Sequence, residues 1–391
     1  MSDDFAVVGS PPTKLSVSNV FSWTFANPFH ASSPVIHQAP SAETRAHHVP
    51  KVPKDKPLLI DVANGASATW AQVKTDALRV AASLHSLGVS PRSVPSVVSS
   101  PEDLLQPVVM IHLPNCITSA TLAFGVFAAG LTATMANPAL APFELKWILG
   151  SAKPRVVITT LEGHVALNKV IKELPMGQGP AHVFVVDLER DTHGLADHKT
   201  AIAPTQTQDW NSLLACPPLA SAIHLTPDQC TSQPALILWS SGTSGRSKGV
   251  LLSHSALIHN VLTLWHTNLL YNDSERWLGI APFYHTFALF NILLMAPAAG
   301  ATVFCMRRFE PKVMLRCIEE HKITYLHIAP PLALLLAKSD MLNGVDVSSV
   351  RGAMSGGAPC SSEIIEMVYK RLGILIQMVC MLIMERAVTE I

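Results

Sequence analysis

Ala235-Leu-Ile-Leu-Trp-Ser-Ser-Gly-Thr-Ser-Gly-Arg-Ser-Lys-Gly-Val250 is the stretch on which the reading of this 391-residue chain turns. An apolar run of strand length enters a loop with hydroxyls at Ser240, Ser241, Thr243, Ser244 and Ser247, glycines at 242, 245 and 249, and cations at Arg246 and Lys248. Such a loop suits a polyphosphate. Glycines let backbone N–H groups approach the oxygens, hydroxyls donate to them, and Lys248 supplies charge. It is not a Walker A loop, which needs Gly-Lys-[Ser/Thr]; here Ser247 precedes Lys248 and Gly249 follows. A flexible Gly/Ser linker shares the composition, but a linker is not bracketed by Ala-Leu-Ile-Leu-Trp and Val-Leu-Leu.

Outward from that loop, apolar runs of strand length alternate with helical segments. Strands are predicted at 108–113, 131–135, 155–159, 235–239, 250–252, 277–280, 302–306, 325–328 and 352–355. Helices are predicted at 118–129, 142–149, 253–270, 287–294, 311–321, 332–337 and 361–372. Val73, Ala77, Val80, Leu84 and Leu87 share one face of a further helix that Gly88 stops. The alternation implies α/β architecture, with parallel βαβ units covered on both faces. Residues 1–55, rich in proline, read as an extension laid on the surface. Residues 56–232 read as a first α/β subdomain and 233–391 as a second, with a polar link over 188–233 between them.

Composition excludes several classes. Hydrophobic residues make up 49% and charged residues 14%, so general disorder is excluded. Lys+Arg and Asp+Glu both number 28, which leaves no electrostatic footprint for nucleic acid or anionic lipid. Seven cysteines without a Cys-x-x-Cys pair suggest a reducing compartment, and the acidic start lacks a signal-peptide pattern, so a cytoplasmic location is expected. Residues 115–143 and 277–306 carry no Asp, Glu, Lys or Arg, and each is long enough to span a bilayer. Prolines, Asn291 and His285 interrupt them, and neither has a one-sided basic flank, so no stable span is expected. His254, His259 and His266 lack the spacing of a zinc helix.

The loop at 235–250 closely resembles the phosphate-loop signature of the adenylate-forming superfamily, which includes acyl-CoA synthetases, 4-coumarate–CoA ligases and luciferases. Ala281-Pro-Phe-Tyr-His-Thr-Phe287 resembles that superfamily's aromatic/His motif, and Ser355-Gly-Gly-Ala-Pro359 its adenine-contacting loop. His112-Leu-Pro-Asn115, Gly130 and Ala136-Asn-Pro138 are similar to the 4-coumarate ligase-like branch. The resemblance covers about residues 18–377. It implies the large N-terminal domain of such enzymes, with ATP and Mg²⁺ activating a small carboxylic acid to acyl-AMP and coenzyme A taking the acyl group as a thioester.

By motif, Thr243, Ser244 and Lys248 would hold the β- and γ-phosphates, with Ser240, Ser241, Gly242 and Gly245 in the same loop. His285 would sit between the carboxylate and the α-phosphate, and Gly356, Gly357, Ala358 and Pro359 would pack the adenine. Without the phosphate loop, His285 and its neighbours Phe283, Tyr284 and Phe287 would read equally as core residues. Phe287, Phe290 and Met354 favour an aryl or medium-chain acyl group.

After Gln377 the pattern fails: the superfamily would continue Gly-Tyr-Gly-x-Thr-Glu, whereas this chain reads Met378-Val-Cys-Met-Leu-Ile-Met384. Thr389-Glu390 is either that Thr-Glu pair, displaced by an insertion, with Glu390 as the Mg²⁺ ligand, or a chance match. The resemblance further implies a missing ribose-binding Asp and a missing mobile C-terminal domain, hence low activity or a non-catalytic module that binds ATP and acid only.

Overall fold

A computed structural model of the chain describes residues 19–33, 48–93, 101–191, 207–240, 247–267, 271–272 and 274–379. It contains two seven-stranded sheets. The strands are β1 (Pro57–Asp61), β2 (Ser67–Thr69), β3 (Val108–His112), β4 (Thr132–Met135), β5 (Val156–Thr160), β6 (His182–Val186), β7 (Gln208–Asp209), β8 (Pro234–Ser240), β9 (Lys248–Ser253), β10 (Arg276–Gly279), β11 (Thr302–Cys305), β12 (Tyr325–Ile328), β13 (Gly352–Ser355) and β14 (Leu375–Met378). The first sheet has the order β7-β6-β5-β3-β4-β8-β9 and the second β14-β13-β12-β10-β11-β1-β2. Neighbouring strands run parallel except for β8–β9 and β1–β2, which are antiparallel.

The central strands are apolar on both faces because both faces are covered. All five residues of β3 and of β5 are buried. The helix Ile117–Ala128 is buried at all twelve positions, which a helix without a charged residue tolerates only inside a large core. It packs against the helix Trp70–Ser86, whose buried face includes Val73, Ala77, Val80 and Leu84. Contact between the two is close at Gly125, where a Cβ atom would lie 2.6 Å from Val80 Cγ1.

The two uncharged runs lie in this core rather than in one long apolar helix. Residues 115–143 divide into a helix, β4 and the start of the next helix. Residues 277–306 divide into β10, the helical stretch 286–299 with a π-helical turn at Leu289–Leu294, and β11. Among the described residues no helix is long and apolar enough to cross a membrane.

Two expectations need correction. The sheets do not follow the division at 232/233: β8 and β9 complete the first sheet beside β4, while β1 and β2 complete the second beside β11. Pairing partners are chosen by burial, and β1 finds its neighbour 244 positions away, Leu59 opposite Val303. The N-terminal stretch is also not a surface extension where it is described. Val20, Phe21, Trp23, Phe25 and Phe29 are core residues, and Phe29 stacks on Trp265 with ring centroids 4.0 Å apart. His254 Nδ1 accepts a hydrogen bond from the Val20 backbone N–H at 3.2 Å.

Three core histidines are held neutral by desolvation. Burial pushes His254 and His327 down to about 3 and His112 to about 4. The unfolded chain binds these protons near pH 6.5 and the folded chain does not, so their contribution to stability is intact above that pH and is lost as pH falls below it. The expected loss between pH 7 and 5.5 is roughly 4 kcal/mol for the three together, at about 1.4 kcal/mol per pH unit for each. Calorimetric Tm values across that range check this, and His254→Gln should flatten the slope by about a third. Phe29→Ala should cost about 3–5 kcal/mol, read from denaturant unfolding.

Candidate functional site

The parallel strands of both sheets send their carboxyl ends toward one region, the place where open α/β sheets bind ligands. A cavity of about 610 Å³ lies there. Its wall takes Pro114 and Asn115 from beyond β3, Asn137 and Pro138 from beyond β4, Ile280–Pro282, Tyr284 and Phe287 from beyond β10, Met306–Phe309 from beyond β11, and His327–Ala329, Pro331, Leu332 and Leu335 from β12 and the following helix.

The phosphate loop hangs from a hairpin. Ser240 ends β8 and pairs across the ladder with Lys248, the first residue of β9. The hydroxyl and the ammonium-bearing residue are thus fixed as neighbours at the loop's neck. Trp147 Nε1 donates to the Ser247 carbonyl at 2.7 Å, and Trp239 Nε1 donates to Thr134 Oγ1 at 2.8 Å, so one end of the loop is tied to the helix Pro142–Ala152 and the other to β4. Ser241, Gly242, Thr243, Ser244 and Gly245 lie outside the described residues, as does Glu390.

The aromatic/His motif is clamped by Asn115. Its side-chain amide donates to the Gly279 and Ala281 carbonyls at 3.0 and 2.8 Å, and its oxygen accepts from the Phe283 N–H at 2.8 Å. One buried residue from the loop after β3 of the first sheet thereby sets the course of a loop of the second. His285 stands exposed on that loop, and partial desolvation by its surroundings lowers its pKa. Tyr284, half-buried in the cavity wall, has its pKa raised by desolvation.

The third motif meets the second. Gly356 follows β13, and a Cβ atom there would lie 2.7 Å from Phe287 Cδ2, so only glycine leaves room for the ring. Gly357 adopts φ +85°, in the left-handed region that favours glycine. Ala358 and Pro359 are exposed beside it. Phe287 lines the cavity, whereas Phe290 and Met354 lie buried outside its wall. Ser240, Lys248, His285 and residues 356–359 are not wall residues; they leave the same ends of the strands.

Sequence reasoning missed several wall residues. Arg307 joins the sheets: its Nε lies 3.1 Å from Asp61 of β1, its Nη1 lies 3.2 Å from Glu189, and its Nη2 donates to the Leu188 carbonyl beyond β6. Arg308 is paired with Glu310. His327 sits in the floor. The signals available were a pair of arginines directly after a strand and a histidine inside an apolar strand. Among the described residues no group of three His, Cys, Asp or Glu side chains is placed to hold a metal ion.

Two layered, mainly parallel sheets whose loops close on one cavity define a ligand-binding α/β domain. More specifically, this chain belongs to the AMP-binding enzyme family, which it matches over residues 46–381. It is 30% identical over 329 residues to a 4-coumarate–CoA ligase of Pinus taeda, covering 81% of this chain and 53% of that protein. It is 31% identical over 322 residues to 4-coumarate–CoA ligase 5 of Oryza sativa subsp. japonica, covering 82% and 53%. The chain thus spans about half the length of these curated relatives. A natural red-emitting luciferase of Phrixothrix hirtus shares the fold with a TM-score of 0.70 at 20% identity, over 93% of this chain and 60% of that one.

Because Asn115 satisfies three backbone groups, Asn115→Ala should destabilise the protein by about 2–4 kcal/mol, the cost of leaving buried polar groups unpaired. Gly356→Ala should cost about 1–3 kcal/mol by displacing Phe287. Unfolding midpoints in urea check both, and Gly150→Ala, in a helix with open space at the Cβ position, serves as the control.

Proposed function

We propose that this chain contributes the nucleotide- and acid-binding domain of an ATP-dependent acid–CoA ligase. The observation that carries the reading is that the aromatic/His motif lines a largely apolar cavity at the carboxyl ends of the strands, the ends from which the neck of the phosphate loop and the Gly356 turn also leave. In the first step, a carboxylate oxygen attacks the α-phosphorus of ATP and pyrophosphate leaves, giving acyl-AMP. In the second, the thiolate of coenzyme A attacks the acyl carbon and AMP leaves. Both steps bring anions together, so donors fixed in advance are the chain's contribution.

The described residues fit a nucleotide. The neck of the loop carries a hydroxyl and an ammonium on paired strands, and Gly357 leaves open space where a side chain would stand. Ser240 and Lys248, with Ser241, Gly242, Thr243, Ser244 and Gly245, are proposed to hold the phosphates. Gly356, Gly357, Ala358 and Pro359 are proposed to hold the adenine, and His285 to orient the carboxylate toward the α-phosphate. Bound with ATP, Mg²⁺ would neutralise phosphate charge; Glu390 remains its proposed ligand. The cavity is proposed to hold the acid's body, and its apolar lining suits an aryl or medium-chain acyl group. A cytoplasmic location belongs to the same proposal.

Lys248→Ala should weaken ATP·Mg²⁺ binding by about 1.5–3 kcal/mol, the value of a charge-assisted contact. Calorimetric titration checks this. Unchanged affinity in a folded Lys248→Ala protein would remove the loop from the site.

A further inference from the structure

Trp147, on the helix Pro142–Ala152, is 37% exposed, yet its indole Nε1 donates to the Ser247 carbonyl at 2.7 Å, across 100 positions of chain. That carbonyl belongs to the peptide group from which Lys248, the first residue of β9, departs. The peptide is planar, so a bond to its oxygen also fixes the direction of the Lys248 N–H and constrains the placement of its Cα. On its other side Lys248 is paired with Ser240 across the hairpin, and its own carbonyl lies 3.5 Å from Ser240 Oγ. The lysine is thus held at both of its peptide groups.

The support for the indole is firm. Leu145, Ile148, Leu149 and Ala152 of its helix are buried, and the first three pack with Met110 of β3, Val157 of β5 and Leu167 of the next helix. Pro142 opens the first turn, and Glu144 Oε2 accepts from the Ala141 N–H at 2.9 Å. Trp239 of β8, at the other arm of the hairpin, packs against the same cluster. The indole therefore reaches the neck of the phosphate loop from an element already fixed on the sheet.

A hydrogen bond open to water adds little to the stability of a fold, because water offers both groups equal partners. Its effect here is on placement. A lysine that grips an anion gives up rotamer freedom, and a backbone that must be ordered at the same moment adds to that cost. A peptide held in advance removes the second part.

We propose that Trp147 is a positioning residue for nucleotide binding: its bond to the Ser247 carbonyl holds Lys248 where the ammonium meets the terminal phosphates of ATP. The inference rests on reading Lys248 as a phosphate ligand. Its signature is selectivity, since AMP has no β- or γ-phosphate for Lys248 to hold and is indifferent to where that lysine stands.

The test is calorimetric titration of the full chain with ATP·Mg²⁺ and with AMP, for the wild type, Trp147→Phe, Lys248→Ala and the double variant. Trp147→Phe keeps an aromatic ring on the helix and removes the N–H. It should weaken ATP·Mg²⁺ about three- to tenfold and leave AMP within about twofold of wild type. In the Lys248→Ala background the same substitution should change ATP affinity by less than about twofold, because no ammonium is left to place. Circular dichroism establishes that each variant is folded. Three results overturn the inference and leave the phosphate reading standing: unchanged ATP affinity in Trp147→Phe beside a weakened Lys248→Ala, equal losses for ATP and AMP in Trp147→Phe, or losses that add in full in the double variant. Unchanged ATP affinity in Lys248→Ala, or a folded wild-type chain that does not bind ATP·Mg²⁺, overturns both.

Discussion

A parallel strand has two faces to bury, and in this chain one face of each sheet is buried in a single apolar layer between the two, the other under its own helices. The layer takes Val109, Ile111, Val156 and Ile158 from the first sheet and Trp277, Val303, Cys305 and Tyr325 from the second, with the helix Ile117–Ala128 between them. Its contacts are tight enough that Gly125 has no room for a methyl group. Since interiors of this density do not shear freely, the sheets hold a fixed relation. The loops at their carboxyl ends therefore meet in a reproducible place. Side chains that cross the junction, Asn115 and Arg307 above all, refine a geometry that the shared core already imposes.

Much of the fold was legible because these strands are uniformly apolar and short. The boundaries at 311–321, 325–328 and 352–355 match the observed elements. The helix Leu161–Lys172 and β6 went unread, although Leu167 and Val170 on one helical face and the run His182-Val-Phe-Val-Val186 carried both signals. The core role of residues 20–29 was obscured by surrounding prolines, even though Phe21, Trp23, Phe25 and Phe29 within nine positions are too aromatic for a solvated extension. The exchange of edge strands between sheets could not be read, because local pattern states that a strand is buried but not beside which partner.

At the site, the division is similar. Gly356 and Gly357 were identified by motif, and the structure supplies the reasons: a phenyl ring against one and a positive φ at the other. Asn115 was noted only as part of a resemblance, and its work as a three-point clamp depends on carbonyls 164 and 166 positions away. His327 looked like any histidine in an apolar strand. Its place in the cavity wall sets it apart, and that is a property of three-dimensional neighbours rather than of sequence.

The interleaving of the sheets also bears on the order in which the chain is made. The first sheet has all its strands once residue 253 has left the ribosome, and it can close around its own helices then. By that time β1 and β2 have long been synthesised, yet the partner of β1 ends only at Cys305. For more than fifty further residues, the early hairpin presents an unpaired apolar edge beside a nearly finished neighbour. Long-range parallel pairing of this kind is slow and exposes such edges to other chains. During synthesis, the first-made strands of the second sheet are thus the ones that wait longest for a partner.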